Sequence, residues 1–158
     1  MTDILKLLEK DAKLTNAQIA AMLDISEEEA AAYIAACEKA GIIKGYRTVV
    51  DWQKVNTGSA YAMITLKVVP KSETGFDEIA RAIASLGEVE SVFLTAGVFD
   101  LTVMVKGETI QDIAMFVAKK LSTMDSVTST STHFILQKYK ETDFLLTEDR
   151  TDERSVVV

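Results

Sequence analysis

Between residues 59 and 139 the spacing of apolar residues changes repeatedly, and the order of those changes leaves few folds open. Ser59 to Val69 alternates: Ala60, Ala62, Ile64, Leu66 and Val68 fall on one face, Tyr61, Met63 and Thr65 on the other. That is the period of a half-buried strand. Pro70, the single proline of the chain, has no N–H to continue a ladder and stops it. Phe76 to Leu86 shifts to helical spacing, with Phe76, Ile79, Ala80 and Ile83 inward. Glu88–Thr95 and Phe99–Val105 read as strands joined by Ala96-Gly97-Val98. After Gly107, the segment Thr109–Ser122 reads as a second helix, buried through Ile110, Ile113, Phe116, Val117 and Leu121, and Val127–Tyr139 as the last strand. The order β-α-β-β-α-β is the ferredoxin-like split motif. Both helices are then expected on one sheet face. The other carries Tyr61, Met63, Thr102 and Met104 alongside Asp100 and is too apolar to leave in water, which predicts a dimer with sheets meeting face to face.

The first fifty residues follow a different logic. Asp3–Asp11 reads as a helix with Ile4, Leu5, Leu7 and Leu8 as its stripe. Thr15-Asn16-Ala17-Gln18 and Ser26-Glu27-Glu28-Glu29 both have the capping-box form, in which a hydroxyl takes an orphan N–H and the side chain three residues on reaches back. They open two helices separated by the short turn Leu23-Asp24-Ile25, and the second, buried through Ala30, Ile34 and Cys37, is ended by Gly41. Three short helices with a tight turn between the last two describe a helix-turn-helix. Ile42–Asp51 reads as an extended wing. The expected organisation is α+β: a winged helix-turn-helix DNA-binding domain over 1–51, a connector over 52–58 with Trp52 as its aromatic anchor, a βαββαβ oligomerisation domain over 59–140, and a charged tail over 141–158.

Charge and composition narrow the function. Cys37 is the only cysteine, which rules out a disulfide framework, and it is read as a small buried hydrophobe. No apolar run reaches the roughly 18 residues of a membrane span, and Met1-Thr2-Asp3 does not begin a secretory signal, so a cytoplasmic protein away from membranes is expected. The net charge is −7 and the pI about 4.8. Residues 1–56 hold seven basic and nine acidic side chains, a net of −2. An acidic balance argues against a broad phosphate-binding surface, because DNA affinity comes largely from Lys and Arg displacing counterions. It leaves room for a local patch. The candidate DNA contacts are Lys13, Lys39, Lys44 and Arg47, with Asn16, Gln18, Ser26 and Tyr33 as polar partners, and Lys44 and Arg47 on the wing are the best placed for phosphate.

The residues also resemble a known family. Asp3-Ile4-Leu5-Lys6-Leu7-Leu8, Ile25-Ser26 with the helix and Ala40-Gly41-Ile42-Ile43-Lys44-Gly45-Tyr46, Thr95-Ala96-Gly97-Val98-Phe99-Asp100-Leu101, and Thr130-Ser131-Thr132 before Phe134-Ile135-Leu136 are together similar to the Lrp/AsnC, or feast/famine, transcriptional regulators. The resemblance covers about residues 3 to 140. It implies a sensing domain of the RAM type, homodimers that assemble into higher oligomers, and an amino acid or similar small effector bound in clefts between dimers. Carried over by motif, the effector candidates are Gly97, Val98, Phe99 and Asp100 on the hairpin and Thr130 and Thr132 on the last strand. Asp100 can serve an ammonium, and the threonine hydroxyls and backbone N–H groups near Gly97 can serve a carboxylate, with Gly97 free to take a positive φ. From the residues alone a plain hairpin is the favoured reading, with glycine for the turn, aspartate as turn chemistry and threonines as strand formers.

The departure from the family lies in the recognition helix. Where the family is rich in Arg and Lys, this chain has Ala31-Ala32-Tyr33-Ile34-Ala35-Ala36 behind Glu27, Glu28 and Glu29. Two readings therefore stand: a metabolite-responsive DNA-binding regulator, and a ligand-sensing, oligomerising family member with weak or lost sequence-specific DNA binding. An enzyme is not expected. Relatives that act on siroheme lean on histidine and arginine, whereas His133 is the lone histidine here, and no metal-ligand cluster, nucleophile-base pair, phosphate loop or cofactor box is present in the sequence.

Overall fold

The structure is a computed structural model and describes residues 2–52, 54, 55, 58–70 and 75–146. The chain divides into two compact units, Met1–Val49 and Val50–Val158.

The first unit is helical: α1 (Thr2–Lys10), α2 (Asn16–Leu23) and α3 (Glu27–Lys39). Both capping boxes form. The Thr15 hydroxyl accepts from the Gln18 N–H at 3.2 Å and the Gln18 side chain accepts from the Thr15 N–H at 2.8 Å. Ser26 and Glu29 repeat the exchange at 3.1 and 2.9 Å. Asp24, between the two helices, takes a left-handed φ of 54°, which an aspartate tolerates better than most residues. A small core of Ile4, Ile19 and Ala30 is sealed by Leu7, Leu8, Leu14, Leu23, Ile25, Tyr33 and Ile34. Cys37 is buried, and Ile34 is only half-buried. Gly41, with a φ of 67°, turns the chain out of α3 so that the Ile42 and Ile43 N–H groups reach the Cys37 carbonyl. The expected wing makes no ladder with any described strand. Residues 44–51 carry no regular structure, and Tyr46 ties the segment to α3 by donating to Glu38 at 2.8 Å.

The second unit holds a four-stranded antiparallel sheet in the order β2-β3-β1-β4, built from β1 (Ala60–Val68), β2 (Val89–Leu94), β3 (Leu101–Gly107) and β4 (Val127–Ile135). The helices α4 (Gly75–Ala84) and α5 (Ile110–Phe116) sit in the two β-to-β crossings. The sequence order and strand order together are those of the ferredoxin-like split motif. α5 runs on into a π-helical turn, Val117–Leu121, in which the Ser122 N–H bonds the Val117 carbonyl. The core joins Ala62, Ile64, Leu66 and Val68 of β1 to Leu101, Val103 and Val105 of β3 and to Ile79, Ile83, Ile113, Phe116, Val117 and Leu121 of the helices. Two expectations need correction. Ile110 is exposed, because the Thr109 cap places it in the first turn and the inward row begins at Ile113. The last strand ends at Ile135 rather than Tyr139, and the chain then turns into a short hairpin, β5 (Lys140–Glu141) and β6 (Phe144–Leu145). Of the tail, residues 147–158 lie outside the described residues.

Gly107 is where β3 meets α5. A Cβ there would stand 2.9 Å from Ile113 Cγ1 and 3.4 Å from the Thr109 carbonyl oxygen. Gly107→Ala is therefore expected to cost about 1–3 kcal/mol in chemical denaturation. A variant as stable as the parent would show that α5 can shift freely off the strand. Lys120 closes the same end of the sheet. Its ammonium donates to Glu88 at 2.6 Å and holds that carboxyl below the usual glutamate range.

Candidate functional site

In the helical unit the candidate DNA contacts are not equivalent. Lys13, Lys39, Lys44 and Arg47 are exposed, and Asn16 is half-buried. Gln18 and Ser26 are exposed but spend their side chains on capping. Tyr33 is half-buried against the small core, and desolvation, followed by a hydrogen bond with Cys37, raises its phenol above the ordinary tyrosine range. Its place is structural as much as superficial. Toward solvent α3 presents Glu27, Glu28, Ala32, Ala35, Ala36, Glu38 and Lys39. Glu29 is held ionised by the Ser26 N–H, which pulls its carboxyl below the usual range.

In the sheet unit the hairpin joining β2 and β3 is pinned at its base. The Thr95 N–H donates to the Asp100 carbonyl at 2.8 Å and the Thr95 hydroxyl to the Phe99 carbonyl at 3.1 Å. Asp100 also grips the central strand: its N–H donates to the Leu66 carbonyl at 2.9 Å, and its Oδ2 accepts from the Val68 N–H at 2.9 Å. At the tip Gly97 and Val98 are exposed, Val98 by 78%. The expected positive φ at Gly97 is absent, so the glycine is not required by backbone conformation. An added Cβ there would meet nothing within 4 Å, so open space surrounds this backbone.

Thr130 and Thr132 lie opposite Leu66 and Ile64 on β4, on the helix-covered side of the sheet. The hairpin enters β3, on the far side of β1 from β4, so about 10 Å of sheet separates the two halves of the candidate effector site within one chain. The opposite sheet face carries Tyr61, Met63, Thr65, Phe93, Thr102, Met104 and His133, with Phe93 exposed by 53%. The hydroxyl of Thr65, in the middle of that face, is buried without a hydrogen-bond partner among the described residues. One grouping escaped the sequence reading, because its members lie far apart in the chain: Trp52 and Tyr61 share the ammonium of Lys106, and Lys138 sits over the Tyr61 ring.

Among the described residues no helix is long and apolar enough to cross a membrane. The sequence model of a winged helix-turn-helix DNA-binding domain matches residues 2–44, and that of the Lrp/AsnC ligand binding domain matches residues 61–145. The uncharacterized HTH-type transcriptional regulator YugG of Bacillus subtilis is 44% identical over 158 residues, which cover 99% of this chain and 95% of that one. The proline dehydrogenase transcriptional activator of Rhizobium radiobacter is 27% identical over 139 residues, 88% of each chain. A transcriptional regulator of Neisseria meningitidis solved in complex with L-Met superposes with a TM-score of 0.69 at 24% identity, over 88% of this chain and 89% of that one. AsnC of Escherichia coli gives 0.66 at 24%, over 89% and 93%. A helix-turn-helix followed by a βαββαβ sheet, each matched in its own stretch, places this chain in the Lrp/AsnC family of transcriptional regulators.

Proposed function

We propose that this chain is an amino-acid-responsive regulator that acts in the cytoplasm as a homodimer and in larger assemblies. The observation that carries this reading is the pairing, in one chain, of a DNA-binding unit matched over 2–44 with a ligand-binding unit matched over 61–145. The L-Met complex of the Neisseria relative supports an amino acid as the effector class. The dimer forms through the uncovered sheet face, where Met63, Phe93 and Met104 need cover. The effector site is built from Gly97, Val98, Phe99 and Asp100 of one copy and from Thr130 and Thr132 of another, since these two groups stand too far apart in one chain to grip one small molecule. The open space around Gly97 lets a ligand reach the backbone N–H groups, and the second carboxylate oxygen of Asp100 serves an ammonium.

Lys44 and Arg47 supply the phosphate contacts. Lys44→Ala/Arg47→Ala is expected to weaken binding to duplex DNA about tenfold at low salt and to flatten the log–log salt dependence by about two counterions. Anisotropy of a labelled promoter fragment measures both. A second reading has its own support. The solvent face of α3 offers Glu27, Glu28, Glu38 and three alanines where a DNA reader needs donors, which favours a ligand-sensing member with weakened sequence-specific binding. No binding by the parent protein even at low salt decides for that second reading.

A further inference from the structure

The uncovered face of the sheet holds the only histidine of the chain. His133 stands opposite Met63 in the β1–β4 ladder, and Met63 opposite Met104 in the β1–β3 ladder, so an imidazole ends a row of two thioethers. Strand parity places it there. Thr132 and Phe134, on either side of it, pair with Ile64 and Ala62, which point into the core. β4 is an edge strand, and within one chain His133 is exposed. Its Nε2 lies 3.2 Å from the Ser131 hydroxyl, which can donate to the ring or accept from it. A neutral imidazole therefore brings one hydrogen-bond partner with it into an apolar layer.

The charges around it are one-sided. β1 adds Lys67 to this face beside Tyr61, and β3 adds Lys106. The carboxylates of the same region are engaged elsewhere: Asp100 accepts from the Val68 N–H, Glu141 pairs with Lys138 at 3.2 Å, and Glu90 on the far edge strand has an interaction of its own. Among the described residues His133 pairs with no carboxylate. A second copy laid on this face brings the same set, so the layer between two sheets gathers cations and offers no free anion.

We propose that His133 makes the face-to-face dimer pH-sensitive, so that protonation of the imidazole releases the two copies. The inference rests on the dimer described under the proposed function and names its regulation. Covering the face takes His133 out of water. The neutral ring keeps Ser131 and packs on Met63, whereas an imidazolium loses its hydration, finds no anion and meets lysines of like charge. The dimer thus binds protons less readily than the separate chains. By linkage, assembly is tightest above the range in which a histidine changes charge, ordinarily near pH 6.5, and weakens as pH falls through it. Two histidines per dimer limit the effect to about a hundredfold in Kd between about pH 7.5 and about pH 5.5. Overall charge pulls the other way. The net −7 at pH 7 shrinks toward the pI of about 4.8, which eases self-association, so the sign of the change separates the two causes.

Sedimentation equilibrium of the full-length protein at these two pH values measures the effect. The dimer Kd of the parent should rise at least about tenfold at the lower pH. His133→Gln, neutral and still able to hydrogen-bond, should dimerise alike at both, and His133→Lys, charged throughout, should dimerise weakly at both. A parent Kd that is unchanged or tighter at the lower pH overturns the switch and leaves the dimer standing. So does a His133→Gln protein that dissociates as the parent does, since dissociation by unfolding would be common to both. A parent that stays monomeric at about 100 μM and the higher pH, or a dimer that survives Met104→Glu, removes the sheet-face dimer itself and the switch with it.

Discussion

Ile64→Ala should lower the urea midpoint of the sheet unit by an amount equivalent to about 2–5 kcal/mol. Ile64 is fully buried in the central strand, between Val103 of β3 and Thr132 of β4, and it belongs to the largest core of the chain. Removing three of its carbons forfeits the transfer energy and leaves a cavity that two flanking strands and a helix layer cannot collapse into. Domains of this kind have only about 5–15 kcal/mol in hand, so the loss is a large fraction of the total. Ile64→Val, which removes one methylene, should cost about 0.5–1.5 kcal/mol. Far-UV circular dichroism against urea checks both, with the slope of the transition unchanged. Equal midpoints for parent and alanine variant would mean that β1 does not carry the core.

The second large effect is a gain. Glu27→Gln/Glu28→Gln should tighten binding to duplex DNA about thirtyfold at low salt, because each carboxylate within about 4 Å of a phosphate is a repulsion of roughly a factor of five in water. The gain should shrink as salt rises, since these are exposed charges. Glu29 must be kept, because its carboxylate closes the capping box of α3. The substitutions remove favourable partners of the helix dipole, so α3 should become slightly less stable while the protein binds better. Anisotropy titrations across a salt series provide the measurement. An unchanged affinity would place the N-terminus of α3 away from the polyanion and would argue against the groove-reading role of that helix.

What could be read from the sequence was what is written locally. Thr15 with Gln18, and Ser26 with Glu29, are partners three residues apart, and both boxes form as expected. The alternation over β1 reports burial with period two, and Ala62, Ile64, Leu66 and Val68 are buried as it implies. What could not be read depends on partners remote in the chain or on where an element ends. The wing pattern from Ile42 says which residues prefer cover, not which strand would pair with them, and no described strand does. Ile110 fits the helical stripe by spacing but falls in the first turn, outside the inward row that starts at Ile113. Tyr33 looks like a surface contact in an alanine run until α1 and α2 are folded against it. The cations around Trp52 and Tyr61 come from residues 106 and 138, and no local motif encodes that meeting. In the hairpin between β2 and β3 the sequence pointed to a glycine and an aspartate, but it attributed to Gly97 a backbone freedom that is not used there.

The double attachment of Asp100 to β1 gives the hairpin a mechanical character that its exposed tip conceals. A free loop would absorb a ligand by local rearrangement, and its neighbours would not register the event. Here the same residue that can meet an ammonium also holds the Leu66 carbonyl and the Val68 N–H. Drawing its carboxylate away leaves the N–H of a buried strand residue without a partner, at a cost of about 1–3 kcal/mol. Asp100 is therefore the rivet through which a load on the loop is transferred to the frame.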